Sequence, residues 1–333
     1  MRPTLHPRLV NGRFGDPAVY VEALHRSEAL LFDLGDLAPL AARDLLRIGH
    51  VFVSHMHMDH FIGFDRLLRV NVGRDKRIAL VGPAGLAAAI GHKLHAYTWD
   101  LVARYKADLV FEVVEVATHD DLRGTRFRLK NALAPEAHAV PPHSAGPVLH
   151  WPDFNLAVAV LEHHGPCLGF AIEEPLHVNV WGNRLEQFGV EPGPWLRPLK
   201  RAIAAGADDR TAIAMPCGGT RPLGELRDLL SVERGQKIAY VTDVADTPGN
   251  RTRIVGLASG ADTFFVESSF SAADADQASA RAHLTTRAAG EMARAAGVRR
   301  VDPFHFSPRY EGEEARMLAE VATAFDKTSV QSG

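Results

Sequence analysis

Short runs in which apolar residues fill alternate positions, or nearly every position, recur along this chain. They are "EALLFDLGD" around residue 30, "HVFVSH" at 50–55, "RIALVGP" at 77–83, "LVFEVVEV" at 109–116, "TRFRLK" at 125–130, "LAVAVLE" at 156–162 and "CLGFAIEE" at 167–174. Each predicts a β-strand, because side chains two apart share one face of a pleated strand. Helical spacing replaces this pattern in "PAGLAAAIGHKLHAYTWDLVARY" at 83–105 and "SAADADQASARAHLTTRAAGEMARAAG" at 271–297. The strands cluster without a strict β-α-β alternation. The pattern therefore favours an α/β chain of packed sheets with helices outside over a doubly wound sheet.

Two segments interrupt the periodicity. Residues 131–153, "NALAPEAHAVPPHSAGPVLHWPD", and residues 174–222, where "GVEPGPWLRPLK" concentrates Pro and Gly, predict irregular chain. The second lacks the apolar spacing needed to bury itself. It reads as a protruding arm, at about 174–222, on a single domain spanning 1–333.

Composition narrows the function classes. At 333 residues and 46% hydrophobic, the chain can bury a large core. A net charge of -3 gives no overall footprint for nucleic acid, so an RNA substrate would need a local basic surface or a metal-centred charge. Two cysteines, Cys167 and Cys217, cannot form a disulfide framework or a thiolate-rich zinc finger, and they fit a reducing compartment. The start has no secretory pattern, and no apolar stretch approaches the roughly 20 residues of a membrane span, so a soluble cytoplasmic protein is expected.

The chemistry concentrates in "HVFVSHMHMDH". Val51 and Val53 alternate with Phe52 and Ser54 as in a buried strand, and the polar residues begin where it ends. Histidines two apart in extended chain, His55 and His57, project to one side. Asp59 and His60, past a turn, can aim at a second point a few ångströms away. Imidazole and carboxylate ligands without thiolate suit zinc, with manganese or iron as alternatives. Four residues cannot complete two metal shells, so further ligands are expected at later strand ends. "VAVLEHHGPCLGF" offers His163 and His164, "KIAYVTDVADT" offers Asp243, and "VDPFHFSPRY" offers His305.

This set resembles the metallo-β-lactamase superfamily and, more narrowly, its ribonuclease Z branch of tRNA 3′-processing endonucleases, over roughly residues 28–310. The HxHxDH motif is met by His55, His57, Asp59 and His60. His163 precedes Gly169-Phe170 by the family's spacing, which favours it over His164. Asp243 stands at the bridging position, with Thr242 where the family has glycine. "HFSPRY" at 305–310 matches the family's last motif throughout, "HLTT" supplies His283, and "LEQFGVEPGPWLRPLK" resembles the Gly-Pro-rich arm with which members grip tRNA. The Gly-Thr-Gly turn and the Pro/Arg/Asn loop with which the family begins are absent, and "HPRLVNGRFGDPAVYVE" stands in their place.

The resemblance implies an αββα sandwich, two packed mixed β-sheets flanked by helices. It implies two zinc ions, one on His55, His57 and His163 and the other on Asp59, His60 and His305, with Asp243 bridging. A hydroxide between the ions would attack a phosphodiester, with Asp59 orienting or deprotonating it and His283 as general acid. Arg309 would hold a substrate phosphate or serve as a structural ion-pair arginine, with Ser307 on the substrate side. The substrate would be a phosphodiester such as precursor tRNA, the assembly a homodimer, and no membrane is involved. The alternatives are hydrolysis of a lactone, thioester, β-lactam or small phosphodiester on the same fold, or a non-enzymatic binding protein. His92, His95, His138, His143 and His150 match no ligand spacing and read as surface or loop residues. Cys167 reads as a buried packing residue. Pro303 suggests an edge strand.

Overall fold

The computed structural model describes residues 3–24, 26–118, 120–144 and 148–326. The chain divides into two compact units, a larger one of residues 3–151, 156–172 and 237–326 and a smaller one built around residues 173–236.

In the larger unit an eight-stranded sheet follows chain order, from Leu5–Leu9 and Val19–Ala23 through Ala29–Phe32, Ile48–Phe52, Lys76–Pro83 and Leu109–Val116 to Leu122–Arg128 and Pro135–His138. Its four central strands pair in parallel and its flanks pair antiparallel. A seven-stranded sheet runs in the spatial order Val301–Phe304, Thr263–Glu267, Lys237–Val241, Pro166–Glu173, Asn155–Glu162, Val148–His150 and His143–Ser144.

Strand alternation sorts the core into layers. Phe32 and Phe52 point from the first sheet to Phe170 and Tyr240 of the second. Ring centroids lie 5.1 Å apart for Phe32 and Tyr240 and 5.8 Å for Phe52 and Phe170. The neighbouring residues Leu31, Val51, Leu80 and Val113 face the other way and pack on helices Phe64–Asn71 and Leu86–His95. Helices Pro248–Ala258 and Thr286–Ala295 cover the outside of the second sheet through Ile254, Leu257, Ala288 and Met292. Two mixed sheets packed face to face with helices on both outer sides are the αββα sandwich that the resemblance implies, and they agree with the packed sheets and outer helices that the pattern favours.

Three local expectations are corrected. The helix expected over 83–105 stops at His95 and resumes only as a turn at Val102–Arg104. The helix expected over 271–297 splits into Ala275–Ala280 and Thr286–Ala295, because Ala282 adopts a left-handed φ of 55° and Thr285 caps the second helix through the Ala288 N–H. Residues 131–153 contain three short strands rather than irregular chain, all at sheet margins, where proline is tolerated because one edge needs no donors. Val301–Phe304, which carries Pro303, is likewise an edge strand.

The smaller unit has its own apolar core. Trp195, Leu199 and Ile203 recur every four residues along and just before helix Leu196–Ala204 and pack with Leu185, Ile213 and Leu223. The expectation that this stretch cannot bury itself is therefore wrong: its prolines and glycines punctuate helices rather than replacing them. Among the described residues no helix is long and apolar enough to cross a membrane.

Candidate metal centre and its cavity

Strand ends deliver the polar residues. After Ile48–Phe52 the chain stays extended through His55 and His57, then closes one helical turn, Met58–Phe61, which carries Asp59 and His60. His163 follows Asn155–Glu162, Asp243 follows Lys237–Val241, and His305 follows Val301–Phe304. These seven residues, widely separated in the chain, converge. Potential ligand atoms of His55, His57, His163 and Asp243 lie within 4.8 Å of one another, as do those of Asp59, His60 and His305. Asp243 joins the two groups. Its Oδ2 lies 3.4 Å from His55 Nε2 and 3.3 Å from His60 Nε2, and its Oδ1 lies 2.9 Å from His305 Nδ1. His164, its neighbour's rival in the sequence, is exposed.

Burial opposes charge on Asp243, yet His305 and His60 hold its carboxyl well below the usual range. Burial likewise opposes charge on Asp59, and the neighbouring imidazoles of His305 and His60 hold it low. Conversely, burial disfavours protonated His305, but Asp243 pushes it up to about 10. Carboxylates in this cleft thus demand positive charge close by.

Two buried acids that the sequence reading passed over orient the cluster. Asp33, fully buried after Ala29–Phe32, accepts from Ser54 N at 2.6 Å, Ser54 Oγ at 2.8 Å and Tyr240 Oη at 2.7 Å. Its fourth partner is His60 Nδ1 at 2.9 Å, which makes that nitrogen the donor and leaves Nε2 facing Asp59 and Asp243. Glu267, the last residue of Thr263–Glu267, accepts from Val244 N at 2.7 Å, Ser269 Oγ at 2.7 Å and His283 Nδ1 at 2.9 Å. His283 is thereby fixed with Nε2 free, and although burial disfavours its proton, Glu267 raises its pKa. The signal for both acids was available: "LLFD" and "FFVE" end strands as "YVTD" does.

Backbone strain marks the same places. Asp33, Asp243, Ala282 and His305 have φ of 55°, 50°, 55° and 57°, a region that costs a non-glycine residue on the order of 1 kcal/mol. Asp33 and His305 stand immediately after a strand, Asp243 one residue beyond one, and Ala282 precedes His283.

Do these residues fit metal ions? His55 Nε2 and His60 Nε2 are buried without a hydrogen-bond partner, and an orphaned imidazole nitrogen beside a carboxylate is what a cation would satisfy. The donor set, imidazoles and carboxylates without thiolate, suits zinc. A third group, Asp243, Glu267, His283 and His305, is also close enough to ligate. Glu267 and His283, however, already neutralise each other at 2.9 Å.

A cavity of about 280 Å³ opens beside Asp59, His283 and His305, lined also by Phe14, Asp16, Phe270, Arg281 and Ser307. Ser307 thus lines the cavity. Arg309 is placed elsewhere: it donates to Gln277 Oε1 at 2.5 Å and lies over the Phe270 ring at 5.3 Å. His92, His95, His138, His143 and His150 belong to none of these groups, and Cys167 is fully buried.

Comparison with known proteins accounts for this combination of fold and residues. A sequence model described as a beta-lactamase superfamily domain matches residues 31–218. The ribonuclease Z of Deinococcus radiodurans is 35% identical over 302 residues, covering 89% of this chain and 87% of that protein. The ribonuclease BN of Cronobacter sakazakii is 31% identical over 90% of this chain and 86% of its own length. Among solved structures, the short form of human tRNase Z shares the fold with a TM-score of 0.54 over 92% of each chain, at 18% identity.

Proposed function

Because the chain belongs to the beta-lactamase superfamily, in the company of ribonuclease Z, we propose that it is a tRNA-processing, metal-dependent hydrolase that cuts a phosphodiester at the 3′ region of precursor tRNA with two zinc ions. The observation that carries this reading is the pair of ligand groups, one containing Asp243 and the other within 3.3 Å of it through His60 and His305, with the Glu267–His283 pair beside them.

His55, His57 and His163 would hold one ion and Asp59, His60 and His305 the other, with Asp243 between them. Two such ions would supply an acidified water and positive charge for the phosphate. The rest falls to the protein. Asp59, whose side chain is 42% exposed, offers a carboxylate oxygen toward the cavity to accept the proton of the attacking water. His283 donates from Nε2 to the departing oxygen while Glu267 keeps Nδ1–H in place. Asp33 does the same for His60, so that its lone pair rather than a proton faces the cluster.

The smaller unit is read as the RNA-gripping arm, its helix Leu196–Ala204 carrying Arg197, Lys200 and Arg201. The homodimer expected from the resemblance belongs to the same proposal. A smaller phosphodiester is the second reading. It is favoured by Asp16, a carboxylate on the cavity wall that repels a polyanionic RNA chain more than a singly charged phosphodiester.

The test is turnover of a precursor tRNA, bis(p-nitrophenyl) phosphate, a lactone and a β-lactam, side by side, by the zinc-loaded protein. Cleavage of both phosphodiesters supports the proposal, and of the small one alone the second reading. Turnover confined to the lactone or the β-lactam overturns both.

A further inference from the structure

Arg281 is the one permanent positive charge among the residues that line the cavity, where it faces a space shared with Asp16, Asp59, His283 and His305. Among the described residues its guanidinium has no carboxylate or carbonyl partner. Arg309, the arginine singled out by the sequence, donates from Nη1 to Gln277, which in turn donates to Asp274 Oδ1 at 3.1 Å, and it does not line the cavity.

The mount of Arg281 is rigid. Its N–H donates to the Gln277 and Ala278 carbonyls, both at 3.2 Å, and the His283 N–H donates to the Ala278 carbonyl at 2.9 Å. Between them Ala282 is held at a φ of 55°, and its carbonyl accepts His163 Nδ1–H at 2.8 Å. Three consecutive residues thus serve one place: Ala282 orients a ligand of the cluster, His283 offers a proton, and Arg281 projects an unspent fork of donors. Strain at a non-glycine position persists where the surrounding structure needs it, and here it ends the helix so that these side chains reach the cavity.

Resting on the phosphodiesterase reading, we infer that Arg281 is the phosphate clamp of this site, its guanidinium donating to the non-bridging oxygens of the substrate phosphate, the role the sequence suggested for Arg309. A planar fork matches two phosphate oxygens at once, and a phosphate entering a cavity that already holds Asp16 and Asp59 needs a cationic donor among the residues that line it.

The test uses full-length, zinc-loaded wild type, Arg281→Gln, Arg281→Lys and Arg309→Gln. Calorimetry measures binding of inorganic phosphate, and steady-state kinetics measures bis(p-nitrophenyl) phosphate. Arg281→Gln is expected to weaken phosphate and raise KM by about tenfold or more, the loss of charge-assisted hydrogen bonds, with zinc content unchanged. Arg281→Lys recovers part of the loss, and Arg309→Gln binds as wild type does. Wild-type phosphate affinity in Arg281→Gln, its loss in Arg309→Gln, or no phosphate binding by wild type would overturn the assignment. If wild type binds phosphate through Arg281 but cleaves no phosphodiester, the functional reading falls and the clamp stands.

Discussion

Replacing Asp33 by asparagine changes one atom's chemistry at the centre of a buried network and leaves its shape. Asp33 receives four donors, Ser54 N, Ser54 Oγ, His60 Nδ1 and Tyr240 Oη, three of them on Oδ2. An asparagine has one acceptor oxygen, so its NH2 group must face either the Ser54 N–H or the His60 ring. In the second case His60 relaxes by moving its proton to Nε2, the nitrogen that faces Asp59 and Asp243, and ceases to be a ligand. Loss of such an orienting partner typically costs about 10- to 100-fold in metal affinity. Alanine is harsher: four buried donors without an acceptor, at about 1 kcal/mol each as a lower bound, come to about 4 kcal/mol of stability. The assay is zinc affinity by competition with a chromogenic chelator, read with urea unfolding of the metal-free proteins. Asp33→Asn should lose affinity for one of two zinc ions while unfolding close to wild type, and Asp33→Ala should unfold at much lower urea. Two zinc ions bound by Asp33→Asn as tightly as by wild type would refute the reasoning, because His60 would then not depend on Asp33.

His283→Ala should cut turnover of bis(p-nitrophenyl) phosphate by about 100-fold or more, the worth of a general acid, while zinc content holds; Glu267→Gln should approach it, and equal zinc loss in both would make His283 a ligand instead. Gly63→Ala places a Cβ 2.1 Å from the Gly35 carbonyl oxygen and 2.6 Å from Leu37 Cγ, so the turn bearing Asp59 and His60 must move. Circular dichroism should stay native while zinc affinity falls, and unchanged affinity would count against the rigid mount. Burial pulls Lys76 down to about 8 from its ordinary 10.5. The native chain therefore sheds that proton first, the unfolded chain binds more protons between these values, and stability from this group is missing below pH 8 and regained as pH rises toward 10.5. The urea midpoint of wild type relative to Lys76→Met should climb across that window, and parallel profiles would contradict it.

Much of the fold is legible because buried strands write themselves as apolar runs: Leu109–Val116 begins and ends where "LVFEVVEV" does. The seven convergent residues are legible because four of them stand in one compact motif and the other three each follow an apolar run. What escapes is what depends on three-dimensional context. Asp33 and Glu267 look like ordinary strand-terminal acids, and only their burial under four and three donors shows what they do. Arg281 hides inside an alanine-rich helical pattern, since nothing in "SARAHLTT" announces that Ala282 turns left-handed. Arg309 is the opposite case: its motif is conspicuous, but only the folded chain shows that Gln277, remote in sequence, accepts from its Nη1. The core of the smaller unit is masked by the prolines that bound its helices, although Trp195, Leu199 and Ile203 keep helical spacing.

The central claim is that side chains from both sheets assemble around two adjacent cations sharing Asp243. Calorimetric titration of the metal-free, full-length protein with zinc tests it most directly. The account predicts two zinc ions per chain for wild type, with pairing lost in Asp243→Ala. A single ion per chain for wild type, or two retained by Asp243→Ala, would contradict it.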